Sequence, residues 1–220
     1  MKTEYLHATD IFGKYVKTAE RTALITEIRN YSRTNGDAPV AVPVVHVILM
    51  TSNGAIRLVQ RGDKAENPFM WDKSVGGHVV TEDKTLSRKS FDDNAKKEMA
   101  EEIGVKKVLI AQDSLDFHHR VQSEDHDFSN QALLQLIDYD PWLGSICQVK
   151  EGAPWLKRAN TATYLGIYDG KINFVDGEAI DHRSVERAEL MGDLRENPWK
   201  YADGVRILMQ RYYALLRVVK

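Results

Sequence analysis

The chain predicts an α/β sandwich, a mixed sheet held between helices and preceded by an N-terminal arm. Apolar β-rich runs bounded by turn residues (Val40 to Met50, Ala55 to Gln60, Val108 to Ala111, Thr161 to Tyr168) alternate with stretches whose apolar residues recur at helical spacing. The helical stretches are Thr22 to Tyr31, Ala95 to Ile103, Val185 to Leu194 and a last one carrying Leu208, Tyr212, Leu215 and Leu216. Length agrees, since 220 residues fill one core with additions and no repeat or low-complexity linker divides them.

Composition narrows the function classes. With 43% hydrophobic and 28% charged residues the chain reads as an ordinary globular protein. A formal net charge of -2 argues against a dominant nucleic-acid footprint, so no nucleic-acid polymer is expected as partner. Cys147 is the only cysteine, which excludes an internal disulfide and fits a reducing cytoplasm; lying in an apolar run with Ile146 and Val149, it reads as a structural thiol. The longest apolar run, Val40 to Met50, is far short of the ~20 residues a membrane helix needs, and Met1-Lys2-Thr3-Glu4 opens no secretory h-region.

Taken in order, Tyr5 to Val16 reads as a hairpin turned at Asp10-Ile11-Phe12-Gly13, and Thr22 to Tyr31 as a helix ending before Asn35-Gly36-Asp37. Val40 to Met50 and Ala55 to Gln60 form a hairpin about Ser52-Asn53-Gly54. His46, inside the first of these strands, reads as a core or pocket-wall histidine. Asp92-Asp93 are expected to cap the helix Ala95 to Ile103. Asp113 to Asp127 is polar, and its His118, His119 and His126 lack metal-ligand spacing. Ser129 to Ile137 is expected as a short amphipathic helix and Asp138 to Lys150 as a loop, with Trp142 and Trp155 as packing aromatics or stacking platforms. Thr161 to Tyr168 is expected to pair with Ile172 to Val175 across Asp169-Gly170.

The stretch that carries chemistry is Lys97-Glu98-Met99-Ala100-Glu101-Glu102-Ile103-Gly104-Val105. On a helix Glu98, Glu101 and Glu102 share one face while Met99 and Ile103 share another. Like charges ~4 Å apart cost on the order of 4 kcal/mol at an intermediate dielectric, a cost that a divalent cation removes. Hard oxygen ligands grouped this way suit Mg²⁺ or Mn²⁺, whose remaining positions take water and phosphate oxygens. A solvated acidic face neutralised by Lys96, Lys97, Lys106 and Lys107 is the plainer alternative.

With Gly77 upstream, this stretch resembles the Nudix hydrolase signature, G-x5-E-x7-R-E-U-x-E-E-x-G-U, where U is bulky and aliphatic. Pro68-Phe69-Met70-Trp71-Asp72-Lys73-Ser74-Val75-Gly76-Gly77-His78-Val79 is similar to a stretch of the branch related to isopentenyl-diphosphate isomerase. There are departures. Gly77 and Lys97 are about six residues further apart than the pattern, the family's first Glu falls on Lys89 with Glu82 nearby, and Lys97 replaces an Arg whose bidentate fork a single ammonium does not reproduce.

The resemblance implies an accessory arm over 1–38 and a Nudix domain over 39–220, with an insertion at about 113–158 and a C-terminal helix. It implies metal-dependent cleavage of a diphosphate linkage in a nucleoside-diphosphate-X or related small organic diphosphate, with Mg²⁺ or Mn²⁺ as cofactor. The metal would be held by the Gly77 carbonyl, Glu98, Glu101 and Glu102. Lys97 would orient Glu98, and Glu101, Glu102 or Glu178 would handle the proton. Arg61, Lys64 and His78 are candidate substrate contacts, the two cations being otherwise solvated loop charges. Isomerase chemistry is disfavoured because Gly76 stands where that relative has its catalytic cysteine. A nucleotide-sensing module that does not cleave is the alternative, and the arm would permit a homodimer.

Overall fold

The computed structural model describes residues 3–80, 85–123 and 126–217. Strands β1 (Tyr5–Thr9) and β2 (Tyr15–Glu20) form the expected N-terminal hairpin, running further than the turn signal suggested. Helix α1 (Arg21–Asn35) follows at once, because the Glu20 carboxylate accepts hydrogen bonds from the backbone N–H groups of Thr22 and Ala23. Leu24 and Ile28, one turn apart, bury against Leu6, Val42 and Trp155, so the arm is packed into the body of the protein.

Strand β3 (Ala41–Met50) is buried along nearly its whole length, as a continuous apolar run requires. It runs parallel to β9 (Trp155–Ile167) from Ala41↔Arg158 to Met50↔Ile167. On its other side it pairs with β4 (Ile56–Arg61) only at Leu49↔Arg57 and Met50↔Ile56. Beyond that point β4 departs with β5 (Trp71–Asp72), and β6 (Val75–His78) takes its place from Val47↔Val75 to Val44↔His78. Ser74, fully buried, spans the fork: its hydroxyl donates to the Arg57 carbonyl at 2.5 Å and accepts the Leu49 N–H at 2.8 Å. The divergence of β4 from β3 opens the wedge that holds the site.

Helix α2 (Arg88–Ile103) covers one face of the sheet. Phe91, Ala95, Met99 and Ile103 bury against Val45, Val47, Val75 and Val79. Its N-cap is Ser87, which forms a capping box with Ser90, so the helix starts earlier than expected. Asp92 and Asp93 therefore lie inside it rather than at its start, paired with Arg88 and Lys89 one turn back. The Tyr164 hydroxyl, reaching from β9, also bonds Asp92 at 2.6 Å. Gly104 ends the helix at φ 75°, in the left-handed conformation its sequence position called for.

Next come β7 (Val108–Ile110) and α3 (Ser114–Gln122), the polar histidine-bearing stretch that the sequence left without an element. The expected helix at Ser129 to Ile137 and loop at Asp138 to Lys150 are replaced by one long strand, β8 (Ala132–Cys147). It is antiparallel to β9 and parallel to β7. A buried run such as Ala132-Leu133-Leu134 has no period that separates helix from strand, and pairing with β9 decided it. Register shifts at Leu136/Asp138 and Asp140/Leu143 are bulges, which the polar residues of this stretch accommodate.

Ile172 to Val175 is not a strand. Asn173 and Val175 instead donate backbone hydrogen bonds to the Ile103 and Glu102 carbonyls, tying this segment to the end of α2. Strand β10 (Ala179–Val185) closes the sheet edge beside β4, giving the order β10-β4-β3-β9-β8-β7. Helices α4 (Arg187–Glu196) and α5 (Asp203–Tyr212) cover the other face through Leu190, Val205, Leu208 and Tyr212 on Ile48, Met50 and Leu165. The expected α/β/α sandwich about a mixed sheet is the fold observed. No helix among the described residues is long and apolar enough to cross a membrane.

Candidate functional site

The wedge between β4 and β3 is a cavity of about 520 Å³. One side is the acidic face of α2, with Glu98, Glu101, Glu102 and Lys97. The other is built from Arg61, Asp72, Lys73, His46, His78 and Lys157 on the strands, and Leu143, Ile146, Cys147 and Ala159 give it an apolar floor. Of the residues singled out from sequence, Arg61, Gly77, His78, Lys97, Glu98, Glu101, Glu102 and Glu178 all line it. Lys64 does not; its ammonium sits 2.7 Å from Glu178 at the rim. Lys89 is exposed and paired with Asp93, and Glu82 lies outside the described residues.

Gly76 and Gly77 join the two sides. Successive residues of a strand face opposite ways. A Cβ at Gly77 would collide with the Glu98 carboxyl group, whereas one at Gly76 would press on Lys73, with Nζ at 3.0 Å. The paired glycines thus let a carboxylate approach β6 from one face and an ammonium from the other.

The carboxylates differ in setting. Glu98 is 8% exposed, with the Asn94 amide at 3.4 Å and the Lys97 ammonium at 3.2 Å from its Oε1. Burial pushes its pKa up, against the pull of Lys97. Glu102 accepts the Gly76 N–H at 3.3 Å, and burial, with the Glu98 charge adding to it, pushes its carboxyl up to about 8. Glu101 is more open and shares Lys97, whose Nζ lies 3.0 Å from its Oε2. Lys97 therefore bridges two carboxylates as a point charge.

On the far side, burial works against the Asp72 carboxylate, but the charges of Lys73 and Arg61, each 3.3 Å away, hold it at about 2. Three groups with one net positive charge thus face the acidic helix. His46 is kept neutral, its pKa well below the ordinary value through burial and then the Lys73 charge. Cys147 is buried and its thiol is pushed up to about 12 by burial and the nearby Glu66, as its structural reading requires.

Sequence reasoning missed Lys73, Lys157, Ser145 and Asp176 as lining residues. Lys73 was within reach, since it lies in the quoted Trp71-Asp72-Lys73-Ser74 stretch. Ser145 was not, because Asp138 to Lys150 was taken for a loop, nor was Lys157, which lay between the expected elements.

The donor set fits a hard divalent cation in part. Buried Glu98, half-buried Glu102 and the backbone of β6 converge, and the raised Glu102 pKa records desolvation first and then the Glu98 charge, both of which such an ion would offset. Among the described residues no three His, Cys, Asp or Glu side chains come together closely enough to hold an ion unaided. The chain would supply part of the coordination and leave the rest to water and substrate oxygens, the arrangement Mg²⁺ favours.

No protein-family model and no curated protein sequence matches the chain. Among solved structures, DR0079 from Deinococcus radiodurans is similar over 96% of this chain and 99% of its own, at 16% identity and a TM-score of 0.56. The wedge, the glycine pair and the acidic helix thus sit in a fold shared end to end with that protein. The chain shares that protein's fold. Looser likenesses within that fold are the MutT protein of Methanosarcina mazei Go1 (15% identity, 81% of this chain and 96% of that one, TM-score 0.49) and the Nudix domain of Shewanella oneidensis NrtR complexed with ADP ribose (15%, 84% and 97%, 0.46). The segments that resemble the signature are β6 and α2, and their contact at Gly77 and Glu98 forms the centre of the cavity.

Proposed function

We propose that this Nudix-type domain is a Mg²⁺- or Mn²⁺-dependent hydrolase that cleaves the diphosphate linkage of a small nucleoside-diphosphate-X or related organic diphosphate. The observation that carries the reading is the pair of buried Glu98 and half-buried Glu102, brought against the Gly76-Gly77 backbone and faced across the cavity by Arg61 and Lys73. An arrangement with carboxylates on one wall and cations on the other suits a metal-chelated diphosphate.

Glu98, Glu102 and the Gly77 carbonyl would hold the ion, with Glu101 beside them. Bound there, a divalent cation would polarise a phosphoryl group and lower the pKa of an attacking water. Arg61 and Lys73 would meet the phosphate oxygens, where charge grows during in-line displacement. Lys97 keeps Glu98 and Glu101 in fixed positions. Glu101 and Glu178, at the open rim, are placed to accept the proton of the attacking water. The likeness to relatives of isopentenyl-diphosphate isomerase extends over Pro68 to Val79 alone, and Gly76 has no group able to move a proton.

One observation favours a sensor that binds without cleaving: Lys97 is tied to two carboxylates, and Lys89 turns away from the cavity to Asp93. The deciding experiment measures phosphate and monophosphate release from a panel of diphosphate compounds, with and without Mg²⁺ or Mn²⁺, beside Glu102→Gln. Metal-dependent turnover abolished by the substitution is expected. Tight binding with no turnover on any compound would replace the hydrolase with the sensor.

A further inference from the structure

The wall of the cavity formed by β8 and β9 carries polar groups that the diphosphate reading does not use. Ser145 and Lys157 are cross-strand partners, and both line the cavity. Lys157 is half-buried, and its Nζ lies 3.3 Å from His78 Nε2. An ammonium has only donors, so the imidazole nitrogen accepts and Lys157 keeps two further N–H groups.

Each of the other cations of the cavity lies against a carboxylate. Arg61 and Lys73 share Asp72, Arg21 holds Glu4, and Lys97 bridges Glu98 and Glu101. Among the described residues the Lys157 ammonium has no carboxylate partner and the Ser145 hydroxyl has no hydrogen-bond partner. On the same lining, His46 Nδ1 is buried without one. A polar atom withdrawn from water without a partner, as His46 Nδ1 is, is costly, and half-buried Ser145 lies on the strand directly opposite Lys157. Leu143 and Ala159 beside them give an apolar surface on which a substrate body can lie.

We propose that this wall is a second anion subsite, in which Lys157, with Ser145 and His46 near it, takes a carboxylate or phosphate carried by the substrate beyond its diphosphate. The inference rests on the diphosphate reading and narrows it to organic diphosphates whose second moiety bears a negative group. His78 is then a positioning residue, holding the Lys157 ammonium toward the cavity.

The test needs neither metal nor turnover. In EDTA-containing buffer, inorganic phosphate is titrated into the full-length protein while the imidazole NMR signals of His46 and His78 are followed. A saturable shift is expected, with affinity at least about tenfold weaker in Lys157→Gln and retained in Lys157→Arg. Absence of a saturable shift, or equal affinity in Lys157→Gln, would overturn the subsite and place any phosphate on Arg61 and Lys73. A second arm displaces the phosphate with UDP-glucuronate or UDP-glucose, which differ by one carboxylate. Displacement at roughly tenfold lower concentration by the glucuronate supports a substrate-borne anion. Equal displacement, or none, would overturn that assignment in favour of free phosphate. An inactive enzyme that keeps the phosphate response would sink only the hydrolase reading, and an active enzyme without the response only this one.

Discussion

Gly77 and the carboxyl group of Glu98 occupy touching space: the position of a Cβ on Gly77 lies 2.5 Å from Glu98 Oε1 and closer still to its Cδ. The contact joins β6 to α2 at the centre of the cavity. Gly77→Ala is therefore expected to force Glu98 aside, costing about 1–3 kcal/mol of stability by overpacking. In the proposed enzyme, a 1 Å displacement of a metal-holding carboxylate lowers turnover on the order of 100-fold. Thermal unfolding and kcat measured on the same preparation check both parts. A variant with wild-type kcat would show that Glu98 need not sit against β6.

Glu98 is buried beside half-buried Glu102, and Glu102→Gln removes the ionisable group of the second. The metal-free variant is expected to melt at or above the wild-type temperature at pH 8, where the wild-type carboxyl, at about 8, is roughly half ionised. Adding Mg²⁺ should raise the melting temperature of the wild type and leave the variant unmoved, by mass action on the folded state alone. Equal Mg²⁺ responses would remove Glu102 from the metal site.

Asp72 gives the pH dependence. Its folded pKa of about 2 lies below the ordinary aspartate value of 3.8, so its pairing with Lys73 and Arg61 stabilises the fold above pH ~4, and that stability is lost as pH falls towards 2. The linkage is worth on the order of 2 kcal/mol. Asp72→Asn should abolish the acid-side slope attributable to this group and destabilise the protein at pH 7 by about 3–5 kcal/mol, because two cations lose their partner. Urea midpoints from pH 2 to 7 provide the comparison; an unchanged slope would show that Asp72 is not the group lost.

Lys97 separates positioning from binding. Lys97→Ala frees Glu98 and Glu101, and a roughly tenfold fall in kcat with little change in KM is expected, with Lys97→Arg restoring it. A rise in KM alone would make Lys97 a substrate contact.

Cys147 is predicted to be inert. With its thiol at about 12 and its side chain buried, it should resist iodoacetamide in the native protein at pH 8 and react after denaturation. Rapid native labelling, read by mass spectrometry, would contradict the buried position.

Local chemistry determined much of this protein from sequence alone. The helical spacing of Glu98, Glu101 and Glu102, the stop at Gly104 and the long apolar run of β3 depend on neighbours a few residues away, and the structure reproduces them. Asp92-Asp93 misled because a capping residue and an ion pair one turn along a helix use the same side chain, and Ser87 supplied the cap. Tertiary structure alone decided the rest. Ala132–Cys147 is a strand because β9 lies beside it, and no periodicity within the stretch itself announces that partner. The same pairing set Ser145 opposite Lys157 and carried Lys157 to His78, while the fork at Ser74 opened the wedge between Arg61 and the acidic helix. Spacing along a chain fixes which side chains share a face; only the packing of separate elements fixes which faces meet, because that choice is made by burial summed over the whole sheet.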